Sequence, residues 1–147
     1  MEVEQNELER IGAIFGKTLM TQTGVQVWSR YLDFVRRRHN TVSDPTGQAR
    51  STVQQAFDFT FTKVGIDKDS GKLWQDYIKF VKEGPGTAGG SGWQDQQKMD
   101  AMRTAYRRAL VIPTQITGTI WAEYTQFEVS LNKMTVSTSI RPSNKRR

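Results

Sequence analysis

Three stretches decide the fold: Val27-Trp28-Ser29-Arg30-Tyr31-Leu32-Asp33-Phe34, Leu73-Trp74-Gln75-Asp76-Tyr77-Ile78-Lys79-Phe80 and Ile120-Trp121-Ala122-Glu123-Tyr124-Thr125-Gln126-Phe127. Each reads aliphatic-Trp-x-x-Tyr-x-x-Phe, and the tryptophans lie 46 and 47 residues apart. At about 100° per residue, steps of three place the rings within roughly 120° of one helix face. A strand would turn the tryptophan and the tyrosine to opposite faces. Three of the four tryptophans and three of the four tyrosines fall at these equivalent positions, so the motif is a repeat. Ring stripes of this kind belong to core packing, and their triplication predicts packing that is itself repeated.

A second helix is expected after each of the first two. Gln48 to Val64 carries Ala49, Val53, Ala56, Phe57 and Phe61, and Trp93 to Leu110 carries Met99, Met102, Ala105, Tyr106, Ala109 and Leu110, both near the helical period. Ser91 with Gln94, and Thr23 with Gln26, have the spacing of capping boxes. Pro113 follows Leu110 as a helix stop. Asp44-Pro45-Thr46-Gly47 is a turn cluster, and Gly84 to Gly92 is a flexible glycine-rich excursion inside one repeat. Glu4 to Met20 reads as one more helix, with Leu8, Ile11, Ile14, Phe15 and Leu19 apolar.

The predicted fold is therefore all-α: a short α-solenoid of antiparallel helix pairs. Residues 1–22 form the leading helix of an incomplete repeat, 23–66 one repeat and 67–113 a second with the glycine-rich loop at 84–92. Residues 114–134 form the first helix of a further incomplete repeat, and 135–147 a disordered basic tail. The packing residues are Trp28, Tyr31, Phe34, Trp74, Tyr77, Phe80, Tyr106, Ala109, Leu110, Pro113, Trp121, Tyr124 and Phe127.

Hydrophobic residues make up 36% of the 147, a low share that suits an elongated array better than a sphere. Of the net charge of +6, Arg141, Lys145, Arg146 and Arg147 supply four, so the body is close to balanced. A basic tail argues less for nucleic acid than a basic folded face does. No apolar run approaches the ~18 residues of a membrane span, and the glutamate-rich start is unlike a signal peptide.

The chemistry of an enzyme is hard to find. Without cysteine there is no disulfide, thiolate metal site or sulfur nucleophile. His39 is the only histidine, and it follows Arg36-Arg37-Arg38 at a helix end, where cations complement the helix dipole. Asp67-Lys68-Asp69-Ser70-Gly71 resembles the start of a calcium loop, but Lys72 and Ile78 stand where glycine and glutamate are required. Neither Gly71-Lys72 nor the glycine run meets the P-loop pattern. No catalytic, cofactor or metal residue is assigned, and no cofactor is expected. Arg36, Arg37, Arg38, Lys145, Arg146 and Arg147 are the candidates for RNA or nuclear-import contacts. Arg103, Arg107 and Arg108 read as a solvated helix face.

The repeated Trp-x-x-Tyr-x-x-Phe helix, with a second helix such as Met102-Arg103-Thr104-Ala105-Tyr106-Arg107-Arg108-Ala109-Leu110 and Pro113 after it, resembles HAT (half-a-TPR) repeats. Ordinary TPR repeats have a period of 34 and a different signature. Within HAT proteins the chain is most similar to the suppressor-of-forked family, the large HAT subunit of cleavage stimulation factor and of fungal cleavage factor IA. The likeness spans roughly residues 5 to 134 and is strongest from Gln96 to Leu131, with Tyr124-Thr125-Gln126-Phe127-Glu128. It implies a non-enzymatic nuclear scaffold for pre-mRNA 3′-end cleavage and polyadenylation. The partners would be other subunits of that machinery, with RNA held indirectly and no membrane. Scaffolds of the spliceosome or of ribosomal-RNA processing, and a direct RNA-binding module, are the alternatives.

Two departures from the family matter. Its array is much longer, with its dimer and RNA-binding-subunit contacts in C-terminal parts absent here, and the third aromatic helix is followed by the basic tail where its partner helix is expected. The chain is thus expected to be an N-terminal piece, a short paralogue or a truncated gene product. The helix near Trp121 is expected to expose apolar surface that favours self-association or a partner.

Overall fold

In a computed structural model the backbone is described for residues 2–21 and 24–144, and side chains for these apart from 3, 8, 18–21 and 134–144. Among the described residues there are six helices and no strand: α1 (Glu2–Thr21), α2 (Val25–Arg38), α3 (Gln48–Val64), α4 (Gly71–Lys82), α5 (Trp93–Leu110) and α6 (Thr117–Asn144). The side chains of Leu8 and Leu19, and Thr23 of the Thr23–Gln26 pair, lie outside the described residues. The chain divides into two compact units, α1–α3 up to Ser70 and α4–α6 from Gly71.

In the first unit α2 packs on both α1 and α3. Trp28 near the start of α2 meets Phe59 late in α3, with ring centroids 5.5 Å apart, so the pair is antiparallel. The inward face of α2 is Trp28, Leu32 and Val35, in steps of four and three. That of α3 is Val53, Ala56, Phe57, Thr60, Phe61 and Val64, the wide apolar stripe of a helix facing a core. Thr60 is tolerated there because its hydroxyl donates to the carbonyl of Ala56 at 2.8 Å. Phe15 of α1 lies against Tyr31 and Phe34, 6.1 and 5.4 Å between centroids.

In the second unit α5 packs on both α4 and α6. Leu73, Trp74, Tyr77, Ile78, Phe80 and Val81 are all buried in α4, and Met99, Met102, Ala105, Tyr106 and Ala109 in α5. Gly71 opens α4 so close to the α5–α6 connection that a Cβ there would lie 2.8 Å from Cγ1 of Ile116. That connection is fixed by Thr117, whose hydroxyl accepts from the Thr114 amide at 2.8 Å and lies 3.2 Å from the Ile112 carbonyl.

The structure corrects several expectations. The glycine-rich run is tied down rather than free. Asp95 accepts from the amides of Thr87 (2.6 Å) and Gly92 (3.0 Å), and Lys98 donates to the carbonyls of Gly84 (3.0 Å) and Gly86 (3.1 Å). Gly86 and Gly89 take φ of 94° and 88°, which glycine adopts without strain. The cap of α5 is accordingly Gly92 with Asp95, one residue beyond the expected Ser91 and Gln94. A carboxylate accepts more strongly than an amide oxygen at the positive end of a helix, which decides the register. The backbone of 135–144, expected to be disordered, continues α6. The run 134–140 is rich in serine, threonine and β-branched residues, which are weak helix formers, so local propensity does not account for the extension. Residues 145–147 of that tail lie outside the described residues.

Candidate functional site

The three aromatic motifs share a sequence but not an environment. In α2, Trp28 is buried while Tyr31 and Phe34 are half-buried beneath Phe15. In α4 all three rings are buried. In α6 Tyr124 and Phe127 are half-buried against Tyr106, at 5.3 and 5.8 Å, while Trp121 is 59% exposed. The α5-facing stripe of α6 is Ile120, Tyr124, Phe127 and Leu131, in steps of four, three and four. Trp121 sits about 100° around the helix from Ile120 and so leaves that face. Trp121, expected among the packing residues, lies instead on the apolar exposed surface that was also expected on this helix. Val129, also off that stripe, is 46% exposed. Ala109 is buried, Leu110 half-buried and Pro113 exposed just after α5, where it cannot propagate the helix.

The guanidiniums divide in the same way. Arg103 donates from Nε and an Nη to the two carboxylate oxygens of Glu128, at 2.7 and 3.3 Å, clamping α5 to α6. Hydrogen bonding from Arg103 holds the Glu128 carboxyl below its ordinary range, against the opposing effect of burial. Arg108 lies 5.6 and 5.4 Å from the ring centroids of Trp74 and Tyr77, and donates to the Tyr77 hydroxyl at 3.3 Å. Two members of the expected solvated face thus serve packing, while Arg107 is exposed. Arg37 and Arg38 are exposed and Arg36 half-buried at the end of α2. Lys145, Arg146 and Arg147 lie outside the described residues.

That basic end borders a concave feature of the first unit. A groove of about 380 Å³ runs between α2 and α3, with Tyr31, Phe34, Val35, Arg38 and His39 on one side and Thr52, Gln55, Ala56 and Phe59 on the other. Val35 and Ala56 are buried, and Phe59 is 50% exposed at the rim. Burial pushes the Tyr31 phenol above its ordinary value. The sequence reading passed over Thr52, Gln55 and Phe59. The signal was present in Phe59, an aromatic outside the Val53–Ala56–Phe57–Thr60 stripe of an otherwise polar face.

Catalytic geometry is not apparent at any of these places. Among the described residues no three histidine, aspartate or glutamate side chains converge as metal ligands. The Asp67–Gly71 segment is a turn into α4: Asp67 accepts from the Asp69 amide at 2.8 Å, and the buried Ser70 hydroxyl donates to the carbonyls of Asp67 and Gly65. What the arrangement offers is surface: a groove, an exposed tryptophan face and a basic helix end.

Comparison with known proteins gives that surface a family. The suppressor of forked protein (Suf) family matches residues 1–146. The chain is 55% identical over 135 residues to the mRNA 3′-end-processing protein rna14 of Aspergillus fumigatus, covering 92% of this chain and 13% of that protein. It is 54% identical over 135 residues to the protein of that name from Neurospora crassa (92% and 12%), and 38% identical over 137 residues to the one from Yarrowia lipolytica (92% and 17%). The chain therefore spans only 12–17% of the length of these relatives. With its repeated aromatic helices and a match over nearly every residue, the chain belongs to the suppressor-of-forked family.

Proposed function

We propose that this chain is a protein-binding segment of a nuclear scaffold for pre-mRNA 3′-end cleavage and polyadenylation. The observation that carries the reading is the 55% identity over 92% of the chain to a protein named for mRNA 3′-end processing. The chain is not itself an enzyme. It holds other subunits of the machinery, and RNA reaches the assembly through them. The motif rings of α2 and α4, with Tyr106 and Ala109 of α5 and Tyr124 and Phe127 of α6, keep the helices in register. The exposed side of α6 around Trp121 and Val129 is an association face for a partner or a second copy.

Direct, non-specific RNA contact is the second reading, and the exposed Arg37 and Arg38 favour it. Arg103 and Arg108 weaken it, because carboxylate and ring contacts occupy their guanidiniums.

The test is competition. Purified chain added in excess to a nuclear extract should suppress cleavage of an RNA that carries a polyadenylation site, and leave splicing of a control transcript unchanged. Suppression of splicing instead would move the scaffold to another assembly. Equal suppression of both, relieved by added non-specific RNA, would favour the RNA-binding reading.

A further inference from the structure

We propose that the α2–α3 groove is a docking site for an acidic peptide segment that inserts one aromatic or large aliphatic side chain. This deepens the scaffold reading and rests on it, by naming the chemistry of one partner and the place where it binds.

Shape gives the anchor. The cavity of about 380 Å³ falls inside the ~300–1,000 Å³ range of ligand pockets. Its floor, Val35 and Ala56, is apolar and buried, and rings from both helices wall it. Phe59 packs edge to face on Trp28 at 5.5 Å and keeps half of its surface exposed. An aromatic beside a buried apolar floor is a setting in which a partner's side chain contributes most. Thr52, Gln55 and His39 supply polar groups at the margin, where a peptide backbone would lie.

Charge gives the rest of the peptide. Arg36, Arg37 and Arg38 close α2 beside the groove, and Arg38 lines it. The ammonium of Lys63 stands 5.4 Å from the Phe59 ring centroid, at the other margin. Three guanidiniums outweigh the roughly half-unit negative end of the helix dipole. The acids of these elements do not cancel them. Over residues 25–64 the six cations Arg30, Arg36, Arg37, Arg38, Arg50 and Lys63 outnumber the three carboxylates Asp33, Asp44 and Asp58, while Glu2, Glu4, Glu7 and Glu9 lie in the N-terminal half of α1. A neutral or basic segment would leave the arginines facing nothing, whereas an acidic one meets them on approach.

RNA fits less well. Bases stack on open ring faces, and here Tyr31 and Phe34 are half-buried beneath Phe15.

Fluorescence polarisation tests the proposal on the full 147-residue chain. The probe is a labelled glutamate-serine peptide with one central phenylalanine. It should bind saturably, and replacing its phenylalanine by alanine should weaken it about tenfold, a shift of ~1.4 kcal/mol. Phe59→Ala should give a similar loss. Because Phe59 also supports Trp28, Gln55→Glu serves as a second variant: an exposed residue whose added charge repels the peptide without touching the core. It should weaken binding while leaving the melting temperature in place. Val111→Ala, on an exposed residue of the second unit, should change neither. Three results would overturn the proposal: no binding, binding indifferent to both groove variants, or binding that survives loss of the peptide's phenylalanine. Displacement by a short single-stranded RNA that is itself lost in Phe59→Ala would reassign the groove to RNA.

Discussion

At Gly71 the missing side chain is a packing requirement. An added Cβ would stand 2.8 Å from Ile116 and 3.2 Å from the Thr114 hydroxyl, in a loop that Thr117 holds in place. Alanine is the better helix former, but the crowding outweighs it. Gly71→Ala should cost about 1–3 kcal/mol, read as a lower urea midpoint. The tryptophans give a sharper contrast, since one motif produces opposite burial. Trp28→Ala and Trp74→Ala should each cost about 3–5 kcal/mol, whereas the exposed Trp121→Ala should cost under ~1 kcal/mol. Equal losses at Trp74 and Trp121, measured by thermal melting with circular dichroism, would contradict the assignment. The motif alone does not separate these sites, although apolar exposure is expected on the helix near Trp121. The sequence shows that Trp121 occupies a motif position, but the α5-facing stripe runs through Ile120, Tyr124, Phe127 and Leu131, and a one-residue step on a helix is a 100° turn.

Elements were more legible than their joints. The aromatic spacing and the apolar periods of Gln48 to Val64 and Trp93 to Leu110 mark helices that the structure has over those bounds, because a stripe of rings has few other ways to leave water. The glycine run was misread because composition reports the freedom of a backbone and not what ties it. Asp95 and Lys98, three apart in the first turns of α5, make those ties. The cap of α5 moved by one residue for the same reason, and α6 outran the predicted tail through a run of weak helix formers whose composition does not announce a helix. The groove could not be seen, since it is made by residues of two helices brought together by the fold.

These joints titrate. The Asp95 carboxyl lies below its ordinary value because the amides of Thr87 and then Gly92 donate to it, and Glu128 is lowered by Arg103. Each group's folded value is depressed, so its contribution is present above the unfolded value and lost as pH falls through the folded one. Stability should therefore begin to decline as pH drops below about 4. Glu128→Gln should flatten part of that decline by no more than ~1 kcal/mol, as suits a half-buried ion pair still screened by solvent. A pH series of chemical unfolding midpoints reads both effects. An unaltered slope in Glu128→Gln would place the titration elsewhere.

For the whole molecule the distribution of surface matters most. Trp121 and Val129 leave apolar area on α6, and several basic side chains of the second unit are engaged internally. Association should therefore be driven by apolar contact and be only modestly weakened by salt. Sedimentation velocity should show concentration-dependent self-association that Trp121→Ser reduces. A monomer at every concentration, with no binding of a hydrophobic dye, would contradict this. Family membership, read from residues as a resemblance, is shown by the match over residues 1–146. The identity of partners was not legible, because a helical repeat specifies a surface and not its occupant.

The most direct measurement of the central claim is capture of crosslinked partners from nuclear extract on the immobilised chain, after nuclease treatment, with identification by mass spectrometry. A protein scaffold for 3′-end processing predicts recovery of polyadenylation factors that persists without RNA. Loss of all specific partners on nuclease treatment, or recovery of splicing or ribosome-assembly proteins in their place, would contradict it.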